Sequence, residues 1–264
     1  MSSVFLLSLG CDKNLTDSEK LLYNLSEAGL ELTDDPQDAD YAVVNTCCFT
    51  EDAKKESIQG IMELSEIKQQ GKLKEIIVAG CMAERYMDSL SDMMPEADHI
   101  IPLSSFYDIP GLISGENGGV ERTGNAVKKG GYSRLGADLS FLTGASARGV
   151  TGTGALARVI TTGGVYDYLK IADGCDRNCS YCAIPMIRGH YHSVPEEQLL
   201  AEARGMALRG IKELILVAQE TTLYGADIYG RKSLPELLKK LCDIRELEHI
   251  RLLYAYPESV DKDL

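Results

Sequence analysis

Short apolar runs alternate with stretches of helical periodicity along most of this chain, and that alternation most narrows the folds open to it. Residues 4–9 form a first apolar run. Leu21, Leu22, Leu25 and Ala28 then recur at helical spacing, with Gly29 as a natural stop. Residues 41–45 are a second run, and Ile58, Ile61, Met62 and Leu64 mark a helix before Gly71. Residues 76–79 are a third run, and another helix begins near Ala83. Repeated strand–helix alternation predicts a parallel sheet, here an open α/β domain over residues 1–110.

Residues 111–165 break the pattern. Thirteen of the 25 glycines lie between Gly115 and Gly164, with no proline or cysteine among them. The composition predicts a flexible connector, in which residues 139–142 and 155–160 are short segments that can order against a neighbour. The run from Gly149 to Gly154 resembles a phosphate loop, but no convincing strand precedes it, so it is discounted. The alternation resumes over residues 166–264. Strands are expected at 166–172, 213–218 and 250–254. Helices are expected from Pro195 through Leu199, Leu200, Ala203 and Met206 to Gly210, and over 234–244. Three strand–helix units cannot close a barrel, so the C-terminal region reads as unfinished.

Charge limits the partners. Of the 27 Lys/Arg and 40 Asp/Glu, residues 1–110 hold 8 and 21, and the remainder balances at 19 each. The net −13 therefore belongs to the first domain, which disfavours polyanions and anionic membranes. No apolar run approaches the roughly 20 residues of a membrane helix. The N-terminus does not read as a signal peptide, because Asp12 and Lys13 follow the apolar stretch at once. A cytoplasmic protein is expected, whose cysteines stay reduced and serve metals or catalysis.

Six of the eight cysteines share an address. Cys11, Cys47 and Cys81 each follow one of the first three apolar runs. In an open parallel sheet those turns lie on the carboxyl edge, where ligand crevices form. Three thiolates meeting there suit a soft metal or an iron–sulfur cluster; the alternative is three unrelated core thiols. Cys175, Cys179 and Cys182 form a C-x3-C-x2-C run after residues 166–172. It suits three corners of a four-iron cluster with one iron left open. The competitor is structural zinc completed by His190 or His192. Cys48 reads as packing, and Cys242 reads as core because it shares a helix face with Leu234, Leu237, Leu238 and Leu241. His99 and His249 sit beside strand candidates without an evident partner.

The run Cys175-Asp176-Arg177-Asn178-Cys179-Ser180-Tyr181-Cys182 resembles the signature of radical S-adenosylmethionine (SAM) enzymes. Leu9-Gly10-Cys11-Asp12-Lys13-Asn14 with Asp17-Ser18-Glu19, Asn45-Thr46-Cys47 and Gly80-Cys81-Met82-Ala83-Glu84-Arg85 resemble the methylthiotransferases of that superfamily. Two branches matter: one modifies an aspartate of a ribosomal small-subunit protein (RimO type), the other an adenosine of transfer RNA (MiaB type). The chain is similar to the RimO type in Ser8-Leu9-Gly10-Cys11, Tyr168-Leu169-Lys170-Ile171-Ala172, Ala218-Gln219-Glu220-Thr221-Thr222 and Arg251-Leu252-Leu253-Tyr254-Ala255-Tyr256-Pro257. The acidic first domain leans the same way, since it suits a basic protein better than a polyanion. The chain departs from the family at Val194, where a basic residue is usual, and in its connector. It also lacks the rest of the barrel and a C-terminal β-barrel.

The resemblance implies an open α/β domain followed by an incomplete radical-SAM barrel. It implies two 4Fe-4S clusters, one on Cys175, Cys179 and Cys182 that binds and cleaves SAM, one on Cys11, Cys47 and Cys81 that carries sulfur. The product is a methylthio group on an aspartate β-carbon, and the partners are the ribosomal protein, an electron donor and a sulfur donor, with no membrane and no nucleic-acid substrate. Tyr181 is a candidate for the adenine of SAM, or a packed aromatic. Gln219, at the end of the second barrel strand, is a candidate cofactor contact or a turn cap. Arg188 is a candidate carboxylate ligand or a solvated loop residue. The alternatives are a transfer-RNA enzyme and a non-catalytic metal-binding module.

Overall fold

The computed structural model describes residues 2–115, 150–151, 158–260, 262 and 264. Residues 139–142, 149, 152–154 and 155–157 lie outside that set. The chain divides into two units, Met1–Gly149 and Val150–Leu264.

The first unit is the expected open sheet. Strands β1 (Ser3–Ser8), β2 (Glu31–Thr33), β3 (Tyr41–Thr46), β4 (Glu75–Gly80) and β5 (His99–Ile101) are all parallel, in the order β2-β1-β3-β4-β5. Central β3 and β4 are buried on both faces, which is why Val43, Val44, Ile76, Ile77 and Val78 run on without polar alternation. Helices α1 (Asp12–Glu27), α2 (Glu51–Gln70), α3 (Cys81–Arg85), α4 (Met87–Met93) and α5 (Ile109–Ser114) connect or follow the strands. Helix α1 buries Leu21, Leu22 and Leu25. Helix α2 begins at Thr50, whose hydroxyl accepts the Ala53 N–H. It lies close to β1 at Gly60, where a Cβ would come within 2.9 Å of a Leu7 methyl. β2 escapes the sequence reading because three residues are too few to show a period.

In the second unit, β8 (Tyr166–Lys170), β11 (Glu213–Val217) and β12 (His249–Leu252) form a parallel sheet in the order β12-β11-β8. Helices α7 (Glu196–Ala207) and α8 (Leu234–Cys242) pack on it through Leu199, Ala203, Met206, Leu237 and Leu241. This is a parallel β/α layer of the kind a (β/α) barrel repeats, and a short hairpin, β9 (Ala172–Asp173) with β10 (His192–Ser193), flanks helix α6 (Ile184–Arg188). Residues 166–172 are thus not one strand: β8 ends at Lys170 and Ala172 pairs with Ser193 instead. Val194 packs on the core and its carbonyl accepts the Tyr224 hydroxyl at 2.9 Å. Cys242 is exposed, contrary to expectation. It lies one residue, about 100°, round the helix from buried Leu241 and so leaves the apolar face.

Two ordered pieces fall within the range read as connector: α5, and the antiparallel pair β6 (Val150–Thr151) with β7 (Arg158–Val159). Arg158 is fully buried between Asp167 at 2.8 Å and Glu202 at 3.1 Å. Burial pushes the Asp167 carboxyl up, against the pull of Arg158. Arg158→Ala would leave two carboxylates without their cation in an apolar setting. It is expected to destabilise the protein by about 3–5 kcal/mol, whereas Arg158→Ala with Asp167→Asn and Glu202→Gln should recover much of that loss. Denaturant unfolding of the three forms checks this.

Among the described residues, no helix is long and apolar enough to cross a membrane.

Candidate metal centres

All three N-terminal cysteines stand at the carboxyl edge of the first sheet. Cys11 caps α1 just after β1, Cys47 follows β3, and Cys81 opens α3 directly after β4. Two glycines draw these turns together. Gly10 (φ +97°) lies so close to Cys47 that a Cβ there would be 2.6 Å from the Cys47 Cβ and 2.8 Å from its Sγ. Gly80 (φ +81°) lies against Asn45 and Thr46, where a Cβ would be 2.2 Å from Asn45 Oδ1. Ser57 of α2 fixes Cys47, accepting its N–H at 3.0 Å and donating to its carbonyl at 2.9 Å. Cys48 is buried and donates its thiol to the Cys81 carbonyl at 3.2 Å. Burial, with the nearby Cys81, pushes the Cys48 thiol up to about 11, so it stays protonated and packs as expected.

The second trio lies on the loop leaving β8 and β9. Cys175, Cys179 and Cys182 are all partly exposed, and Cys175 N–H donates to the Gly189 carbonyl at 3.2 Å. The Cys182 N–H donates to the Cys179 carbonyl at 3.0 Å, closing the second turn. His190 accepts or donates at Asp176, 2.7 Å away, and is otherwise exposed; His192 is exposed too. Among the described residues, no group of three His, Cys, Asp or Glu side chains closes around a single-ion position. Six soft thiol donors in two sets of three are nevertheless the donor chemistry of iron–sulfur clusters, which spread their ligands wider than one ion does.

Around this loop the carboxyl ends of the second sheet meet. Asp173 is the hub. It pairs with Lys170, with Arg188 at 3.2 Å and with Gln219 Nε2 at 2.8 Å, and accepts the Gly174 N–H at 3.0 Å. Burial alone would push its carboxyl up, but Lys170 and Arg188 outweigh that and hold it well below the usual carboxylate range. Arg188 is therefore neither solvated nor open-handed: its side chain is 4% exposed and bonded to Asp173. Gln219 Oε1 is buried with no hydrogen-bond partner among the described residues. Tyr181 is 90% exposed, so it is not a packed interior aromatic.

Sequence reasoning missed Asp173, Arg177 and Glu220. Arg177, inside the cysteine run, pairs with Glu220 beyond β11, lies 3.7 Å over the Tyr256 ring beyond β12, and donates to Ser259 Oγ at 2.7 Å. It ties the cysteine loop to the other two strands. The only sequence signal was a charged residue at the end of each strand, which solvated loops also show.

Comparison with known proteins agrees with both halves. Residues 3–102 match an uncharacterized protein family, UPF0004, and residues 169–262 match the radical SAM superfamily. The chain is 48% identical over 261 residues to the ribosomal protein uS12 methylthiotransferase RimO of Lachnoclostridium phytofermentans, covering 99% of this chain and 55% of that protein. It is 42% identical over 264 residues to the RimO of Thermoanaerobacter sp., covering 100% and 56%. The chain thus spans about half the length of the curated relatives it matches. In fold it is similar to the radical SAM methyltransferase TsrM from Kitasatospora setae with cobalamin and a [4Fe-4S] cluster bound (TM-score 0.61, 15% identity, 100% of this chain and 58% of that one). It is also similar to the cobalamin-dependent radical enzyme OxsB (TM-score 0.52, 14% identity, 96% and 38%).

Proposed function

We propose, because residues 3–102 match the UPF0004 family and residues 169–262 the radical SAM superfamily, that the chain carries the working half of a methylthiotransferase acting on an aspartate of ribosomal protein uS12. The observation behind this is placement: two sets of three cysteines, each at the carboxyl edge of a parallel sheet. The identity with proteins named uS12 methylthiotransferases supports the protein substrate over transfer RNA.

Cys175, Cys179 and Cys182 would hold one [4Fe-4S] cluster with an open iron, and Cys11, Cys47 and Cys81 the other. Bound there, the two clusters and SAM supply a carbon-centred radical and a carried sulfur, means that acid–base side chains lack. The chain's own residues do the holding. Arg177 fixes the cysteine loop against the ends of the two neighbouring strands. Lys170 and Arg188 fix Asp173, which orients the Gln219 amide through Nε2. The Oε1 of that amide is left as an acceptor for the SAM ammonium, and Tyr181 offers an exposed ring to the adenine. Arg188 acts through Asp173 rather than by touching the cofactor. Replacing C–H by C–S–CH3 oxidises that carbon, so the partners would be a sulfur donor for the new bond and an electron donor for the reductive cleavage of SAM. We place the reaction in the cytoplasm, where thiols stay reduced.

The test is anaerobic incubation of the full natural reading frame, reconstituted with iron and sulfide, with SAM, reductant and sulfide. uS12 and transfer RNA are offered separately. The expected result is uS12 heavier by one methylthio group in place of one hydrogen, localised to an aspartate. Modification of RNA alone would overturn the substrate assignment. No product, with bound zinc instead of iron, would favour a non-catalytic metal module.

A further inference from the structure

The three turns bearing Cys11, Cys47 and Cys81 leave three different strands, yet one side chain touches all of them. Asn14, in the first turn of α1, is wholly buried. Its Nδ2 donates to the Leu9 carbonyl at 2.9 Å, at the start of the Leu9-Gly10-Cys11 turn. The same Nδ2 donates to the Thr46 carbonyl at 3.2 Å, one residue before Cys47. Its Oδ1 accepts from the Cys81 thiol at 3.7 Å. The Asn14 backbone is itself fixed, since its carbonyl accepts from Asn45 Nδ2 at 3.1 Å.

Among short side chains, only the asparagine amide meets these needs. Two carbonyl acceptors need two protons from one short side chain. A hydroxyl has one, a carboxylate has none, and an apolar replacement strands both carbonyls in the interior. With the NH2 end committed to the carbonyls, the oxygen end is left for Cys81. Iron binding removes the Cys81 proton, so in a loaded protein the two N–H bonds alone carry the spacing. We propose that Asn14 is a positioning residue that sets the separation of the Cys11 and Cys47 turns for the N-terminal cluster and accepts from the Cys81 thiol until iron binds. This rests on the reading that those cysteines hold a cluster.

The experiment uses the full natural chain with Cys175, Cys179 and Cys182 changed to alanine, so that only the N-terminal site can load. Asn14→Ala and Asn14→Asp are made in that parent and reconstituted anaerobically. Both variants are expected to keep the parent's circular dichroism and to lose iron to a chelator about 10- to 100-fold faster, as loss of an outer partner of a metal ligand does. The midpoint potential of whatever cluster Asn14→Asp retains is expected to shift, a change that a purely structural role would not produce. A parent that takes up no iron overturns the cluster reading and this proposal with it. A loaded parent whose variants match it in iron retention and potential overturns the Asn14 assignment alone. Unfolding of both variants also overturns it, because the amide would then be holding the whole sheet edge.

Discussion

Changing Cys175, Cys179 and Cys182 together to alanine is expected to abolish SAM cleavage, with no 5′-deoxyadenosine above background by chromatography, while leaving the fold intact. All three thiols are partly exposed and sit on a loop outside the packed core. Their loss removes little buried apolar area, so the stability change should stay within about 1 kcal/mol. The mirror variant, with Cys11, Cys47 and Cys81 changed to alanine, should still cleave SAM but form no methylthio product. Cleavage that survives the first triple change would place the SAM chemistry elsewhere.

Gly174→Ala is expected to be nearly as damaging, though it touches no thiol. Gly174 has φ +74°, and a Cβ there would lie 2.1 Å from the His190 carbonyl oxygen, 2.6 Å from its carbon and 2.7 Å from the Gly189 oxygen. All three are backbone atoms, so the clash is relieved only by separating the two arms of the loop. That separation breaks the Cys175 N–H bond to Gly189 and moves Asp176 away from His190 and Tyr191. The left-handed conformation alone costs an L-residue about 1–2 kcal/mol, and the clash adds to it. Gly210 (φ +99°) is the control, since nothing lies within 4 Å of a Cβ there. Gly210→Ala should therefore show the conformational cost alone, with iron uptake unchanged. Equal iron uptake by the two variants would mean that close packing at Gly174 does not shape the cysteine loop.

Much of the fold was legible because strands buried on both faces announce themselves. β3 and β4 read as unbroken apolar runs, and the cysteines that follow them stood out against a chain without disulfide context. The short edge strand β2 carries too few residues for a period, and partly polar sequence hid it. Cys242 was misplaced for a related reason: a helix face read from leucines alone is wide enough to admit a neighbour that the packing excludes. Arg158 was hidden by its setting, a glycine- and threonine-rich stretch that gives no hint of a fully buried guanidinium. At the candidate site, the metal-binding residue types were visible from spacing. Their supports, Asp173, Arg177, Glu220 and Asn14, were not. A carboxylate or an amide beside a cysteine has no periodicity, and its partner lies on another strand. Arg188 shows the limit most sharply: its type suggested a carboxylate ligand, but nothing in the sequence placed it 3.2 Å from the chain's own Asp173.

Six cysteines, in two sets of three, are proposed to hold two four-iron clusters. Iron and sulfide content after anaerobic reconstitution, with Mössbauer spectra, tests this on the parent and on the two triple-alanine variants. About eight irons per chain are expected in the parent and about four in each variant, with the spectrum of one variant complementing the other. Iron that vanishes from both variants together, or zinc in place of iron in the parent, would contradict it.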